Sequence, residues 1–180
     1  LREFFLKSAQ YAFGFKRARD INLDEITRLI LVDVRQSSRI GPFAAVAKRP
    51  GVDIHIYDHH STKSGSLKGS IEHVEAVGST VTVLSHLLMQ KQIELTDDEA
   101  TMMMLGLYED TGNLLFGSTC AEDFSAARFL LEHGANLDTV ADFLVRELTP
   151  EQVDLLNSLL KSCRRIQVQG IEVGIAQASL

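Results

Sequence analysis

Several features that would classify this chain quickly are missing or scarce. Its 180 residues hold two cysteines, Cys120 and Cys163, too few for a disulfide framework and without metal-ligand spacing. A reduced, cytoplasmic setting follows as the simpler expectation. No apolar run approaches the ~20 residues needed to cross a bilayer, and nothing resembles a signal peptide, so no membrane partner is expected. Basic residues are outnumbered, 18 Lys and Arg against 24 Asp and Glu, for a net charge of −6. That balance argues against broad, non-specific nucleic-acid binding, which needs a basic face. It leaves room for a phosphate substrate, because bound metal ions can supply positive charge. Internal repeats and low-complexity tracts are absent. Position 1 is Leu1 rather than Met, so the natural start is expected upstream.

What remains is an alternation of strand and helix patterns. Residues 4–15 space Phe4, Phe5, Ala9, Tyr11, Ala12 and Phe15 like a helix. The continuous apolar run 29–32 ends at Asp33, as a strand buried on both faces does. Residues 52–57 alternate and end at Asp58, and residues 41–49 between them suit a crossover helix. Residues 29–57 therefore read as strand, helix, parallel strand. A loop over 61–70, rich in Ser, Gly and Lys, precedes a short strand near 73–77. Gly78-Ser79-Thr80 opens a helix, and Thr96 with Glu99 forms a capping box for the next. Thr119 with Glu122 repeats that device, and Thr149-Pro150 with Gln152 opens a last helix. After Arg165 a hairpin pattern follows, with few partners to bury its apolar side chains. The expected organisation is α/β.

The residues that can carry chemistry fall at the ends of these elements. Asp33 and Asp58 each end a predicted parallel strand, where open α/β sheets bind ligands. Two such carboxylates repel one another unless a cation lies between them. His59 and His60 follow at once, giving an oxygen and nitrogen donor set suited to Mn²⁺, Mg²⁺ or Co²⁺. Asp110, in Glu109-Asp110-Thr111-Gly112, is placed just after the helix begun at Thr96, where the helix dipole favours cations. Ser79 and Thr80 offer hydroxyls and backbone N–H groups at a helix start, a ready phosphate site. Each has a plainer role: strand-end cap, turn residue or N-cap. His55, His73, His86 and His133 sit on strand or helix patterns and are expected to be packing or surface residues. The coincidence of all the motifs at element ends carries the weight.

Val32-Asp33, Asp58-His59-His60 and Glu109-Asp110-Thr111-Gly112, in this order, resemble three motifs of the DHH phosphoesterases. Residues 31–41 and 56–60 are similar, more closely, to the N-terminal DHH region of large bacterial proteins of tRNA nucleotidyltransferase/poly(A) polymerase type. The resemblance implies a doubly wound, mainly parallel sheet flanked by helices. It also implies a first strand, bearing an Asp-x-Asp motif, upstream of Leu1. Residues 1–163 would form the DHH-like domain, and 164–180 a linker and the start of a DHHA1-like domain. Asp33, Asp58, His59 and Asp110 would hold two Mn²⁺ or Mg²⁺ ions, a cluster incomplete without the upstream motif. His60, with Asp58, would act on the phosphoryl or leaving oxygen while water attacks. Ser79 and Thr80 would touch phosphate. The implied substrate is a nucleotide or short oligonucleotide, with RNA reached through the parent protein and a homodimer as one assembly. Two other readings remain open: a nucleotide-sensing or RNA-positioning domain without turnover, and a scaffold that binds no metal.

Overall fold

The computed structural model describes residues 16–144 and 148–178; the helical spacing at 4–15 lies outside them. The chain divides into two compact units, Leu1–Leu144 and Val145–Leu180. In the first, β1 (Arg28–Val32), β2 (Asp53–Asp58) and β3 (Ile71–Val74) form a parallel sheet in that order. The connection from β1 to β2 holds a 3-10 turn (Ser37–Arg39) and one short α-helix, α1 (Phe43–Val46). It is a single turn, because Pro42 opens it and the Pro50-Gly51 pair closes the segment. Four helices follow: α2 (Thr80–Lys91), α3 (Asp97–Thr111), α4 (Ala121–Glu132) and α5 (Leu137–Leu144).

Strand β2 sets the site's position. Its side chains alternate, so Ile54, Ile56 and Asp58 share the buried face. Leu31 joins Ile54 and Ile56 in a small core, with Val34, Ile40 and Leu67 packed against it. Each such buried side chain contributes about 1.5–3 kcal/mol. The same period that buries Ile54 and Ile56 carries a carboxylate, Asp58, to zero exposure at the strand's C-terminal end.

Strand β1 departs from expectation. Only Leu31 is buried, while Ile30 and Val32 are 55% and 46% exposed. β1 is an edge strand with β2 as its one neighbour among the described residues, and its second face has no cover there. A continuous apolar run thus reflects burial on one face here. β3 lies two residues earlier than the predicted 73–77, because Ser70 binds Ile54's carbonyl and starts the pairing there.

The helices hold a second core. Ala100, Met104, Leu105 and Leu107 of α3 meet Ala126, Phe129 and Leu130 of α4 and Val140 of α5. The methionines thus serve as a packing face. The Thr96–Glu99 capping box is formed, with each side chain bonded to the other residue's backbone N–H. At α4 the box is shifted by one residue: Cys120 is the N-cap and Asp123 the partner, in place of Thr119 and Glu122. Asp123 prevails because it also reaches across to the start of α2. Helix α5 has no strong opening signal beyond Asn136, whose side chain accepts from the N–H of Thr139.

The second unit contains α6 (Pro150–Ser162), capped by Thr149 and Gln152, and the antiparallel hairpin β4 (Arg164–Val168) and β5 (Ile171–Ile175). None of the residues described in these three elements is buried. No helix among the described residues is long and apolar enough to cross a membrane.

Candidate metal and phosphate site

Asp33 follows β1 in a left-handed conformation, φ 59°, while its N–H still bonds the Tyr57 carbonyl at 2.9 Å. That conformation costs a non-glycine residue about 1–2 kcal/mol, and aspartate tolerates it better than most. It turns the chain at the strand end and leaves the carboxylate about half exposed. Thr80, the first residue of α2, donates its hydroxyl to Asp33 Oδ1 at 2.9 Å.

The two histidines after β2 are held differently. His59 Nδ1 lies 3.1 Å from the Val77 carbonyl, so it carries the proton and donates. Its Nε2 lies 3.5 Å from Asp33 Oδ1. A backbone carbonyl fixing the far nitrogen is how proteins prepare an imidazole for a metal. His60 Nδ1 lies 2.7 Å from Asp58 Oδ1, which also accepts the His60 backbone N–H at 3.0 Å. Asp58 therefore spends one oxygen on His60. Its other oxygen, Oδ2, is buried and has no hydrogen-bond partner.

Asp110 approaches from α3. It lies within that helix's last turn rather than just after the helix, because α3 runs through Thr111 and Gly112 takes the left-handed C-cap. A carboxylate at a helix C-terminus is electrostatically unfavourable on its own. Burial pushes the Asp110 pKa up and the neighbouring Asp33 charge adds to this, against the Ser79 hydrogen bond and His59. Ser79 donates to Asp110 Oδ2 at 2.8 Å while its oxygen caps α2 through the Val81 N–H.

Asp33, Asp58, His59, His60 and Asp110 are thus brought into one region around the Gly78-Ser79-Thr80 turn. Ser79 and Thr80 are buried there, and their hydroxyls point at carboxylates. Each hydroxyl thus holds a carboxylate in place. The donor atoms of Asp33, His59 and His60 lie within 4.8 Å of one another, the sole such cluster among the described residues. The remaining histidines have local partners: His55 with Asp53, His73 stacked on Tyr57, His86 with Glu75 and His133 with Glu94.

A divalent cation fits this donor set. The donors close enough to share one are those of Asp33, His59 and His60; Asp58 and Asp110 lie outside that group.

One structural residue was missed in the sequence. Asp123 is fully buried and accepts from the Gly78 and Cys120 N–H groups and the Thr82 hydroxyl. Burial raises its pKa, and these hydrogen bonds outweigh that and hold it below the ordinary value. The available signal was Asp at the third position after an unassuming N-cap, Cys120.

The chain is 54% identical over its 180 residues to the A-adding tRNA nucleotidyltransferase of Geobacter sulfurreducens, covering 20% of that protein. It is 30% identical over 171 residues to that of Aquifex aeolicus, covering 92% of this chain and 20% of the relative. The chain thus spans about one fifth of the length of the curated relatives it matches. Among solved structures, an exopolyphosphatase-related protein from Bacteroides fragilis aligns with a TM-score of 0.64 at 18% identity. That alignment covers 89% of this chain and 45% of the other, and at such identity it speaks for the fold alone. No family model matches the chain.

Proposed function

Because the chain resembles a DHH domain in motif order and fold, and matches one fifth of two A-adding tRNA nucleotidyltransferases, we propose a metal-dependent phosphoesterase within a larger protein of that type. The reaction is hydrolysis of a phosphodiester or phosphoanhydride in a nucleotide or short oligonucleotide. The observation that carries this reading is the buried, unpartnered Oδ2 of Asp58 beside the Asp33–His59–His60 cluster. A purely structural carboxylate would have its oxygens satisfied.

Asp33, His59, Asp110 and the free oxygen of Asp58 would hold Mn²⁺ or Mg²⁺. Such an ion polarises a phosphoryl oxygen and lowers the pKa of a water. Thr80 and Ser79 fix the Asp33 and Asp110 carboxylates, and the Val77 carbonyl fixes the His59 ring. His60 is the proton carrier. Asp58 Oδ1 binds its Nδ1, so Nε2 is the atom that gives or takes a proton at the departing oxygen. Residues 164–180, with exposed Ile166, Val168 and Ile171, are the linker and start of a DHHA1-like domain in this reading.

The test is product release by the intact protein from a short oligonucleotide, pyrophosphate and a cyclic dinucleotide, with and without Mn²⁺. Metal-stimulated release from at least one, lost in His60→Ala, is expected. Mn²⁺ binding without release from any of the three would contradict hydrolysis and favour a sensing role.

A further inference from the structure

The turn that leaves α3 just after Asp110 is the longest left-handed run among the described residues. Gly112, Asn113 and Leu114 follow one another with φ of 56°, 60° and 63°. Backbone of this kind occurs as single residues, and it costs a non-glycine residue about 1–2 kcal/mol. Asparagine tolerates it better than leucine does.

Hydrogen bonds and packing hold this shape. Thr111 is fully buried, and its hydroxyl donates to the Leu107 carbonyl and accepts the Leu114 N–H at 3.0 Å. Its carbonyl accepts the N–H groups of Leu115 and Phe116 at 3.0 Å and 2.9 Å. Leu114 packs against the helical core, whereas the next residue, Leu115, is 84% exposed. Phe116 folds back onto Gly112, where an added Cβ would overlap three carbons of its ring. Phe116 is still 57% exposed, and it stacks on no other ring among the described residues. The ring is thus seated on glycine backbone and otherwise open. Gly112 is two residues from Asp110, no more than about 7 Å along the chain. Thr111, between them, borders the Gly78 turn of the site.

We propose that Phe116, with Leu115 beside it, is the platform on which a nucleobase of the substrate stacks. The inference rests on the phosphoesterase reading and deepens it: it names the side chain that receives the base, and it disfavours base-free pyrophosphate. A ring already held rigid loses little entropy when a base covers it. Stacking accepts any base, because each has a π face. It also suits a chain of net charge −6, whose cations are outnumbered. Strained backbone held by its surroundings is characteristic of ligand clamps. The open surface matches a base better than a protein: a phenylalanine buries about 150–250 Å². A stable protein interface needs roughly 800 Å² per partner.

Calorimetry on the Mn²⁺-loaded chain tests this with adenosine 5′-monophosphate and ribose 5-phosphate, which share phosphate and ribose and differ in the base. The wild type should bind the nucleotide about tenfold more tightly, within the range for one stacked base. Phe116→Leu should lose that preference and keep its affinity for Mn²⁺ and for ribose 5-phosphate. Phe116→Tyr should retain the preference, which separates an aromatic platform from the mere filling of space over Gly112. A preference lost in both variants, or lost together with Mn²⁺ affinity, marks a packing role and overturns the proposal. Equal preference in the wild type and Phe116→Leu, or none in the wild type, overturns the platform and leaves the metal site standing. Sedimentation of the same proteins covers the other occupant: a wild-type dimer that Phe116→Leu dissociates assigns the patch to a second copy and contradicts the proposal. No Mn²⁺ binding by the wild type overturns both this inference and the reading beneath it.

Discussion

Two carboxylate environments flank the same short turn, and they are built on opposite principles. On one side Asp123 is buried and supplied with donors: the N–H groups of Gly78 and Cys120 and the Thr82 hydroxyl. On the other, Asp58 Oδ2 has none, and Asp110 has the Ser79 hydroxyl set against burial and the Asp33 charge. The first carboxyl is held below its ordinary pKa and the second is pushed above it. A donor-rich carboxylate fastens the fold, whereas the donor-poor ones near the imidazoles are those proposed to hold a cation.

The contrast can be broken most severely at Asp123. Asp123→Ala strands several buried donors, and the expected loss is about 3 kcal/mol or more in urea unfolding, with no recovery on adding Mn²⁺. Gly78 explains why no larger residue substitutes for the contact: an added Cβ would come 2.5 Å from Asp123 Oδ2 and 3.0 Å from Thr111.

A smaller effect is expected two residues further along. Thr80→Val keeps the shape but frees Asp33, and Mn²⁺ affinity should fall about tenfold, the lower end for residues that orient a ligand. An unchanged affinity by calorimetry would demote Thr80 to packing.

Acid titration sharpens the same comparison. The Asp110 pKa is raised in the folded chain, so the stability linked to its protonation is full below its unfolded value and is lost as pH rises through the folded one. Asp110→Asn should therefore stabilise the metal-free protein at neutral pH, with the advantage gone in acid. Thermal midpoints from pH 3 to 7 would show it, and a variant less stable at every pH would contradict it.

Asp53 supplies the reverse sign and the smallest effect. Hydrogen bonds from Ser70, then Arg28, hold its pKa at about 2, below 3.8. Its contribution is present above the unfolded value and lost as pH falls towards 2. The deficit of Asp53→Asn should shrink over that window, as denaturation curves at pH 5 and pH 2 would reveal.

How much of this could be read in advance follows from how local each cause is. Strand ends at Asp33 and Asp58 were legible because alternation and apolar runs are encoded within a few residues. The capping boxes at Thr96 and Thr149 were legible for the same reason. The shift from Thr119 to Cys120 was not, since it depends on Asp123 reaching 45 residues back to Gly78. Exposure of Ile30 and Val32 was hidden as well, because a run of apolar residues does not record how many neighbours a strand has. For the site, residue types and order were readable. That the Ser79 and Thr80 hydroxyls face carboxylates depends on how α2 meets β1 and α3, which spacing does not encode.

The central proposal is that the cluster at the end of β2 binds a divalent cation, and Mn²⁺ calorimetry on the wild type and Asp58→Asn tests it most directly. The account predicts saturable binding by the wild type, with affinity reduced by tenfold or more in the variant, whose amide nitrogen or neutral oxygen replaces the free Oδ2. Equal titration curves for the two proteins, or no binding by the wild type, would contradict it.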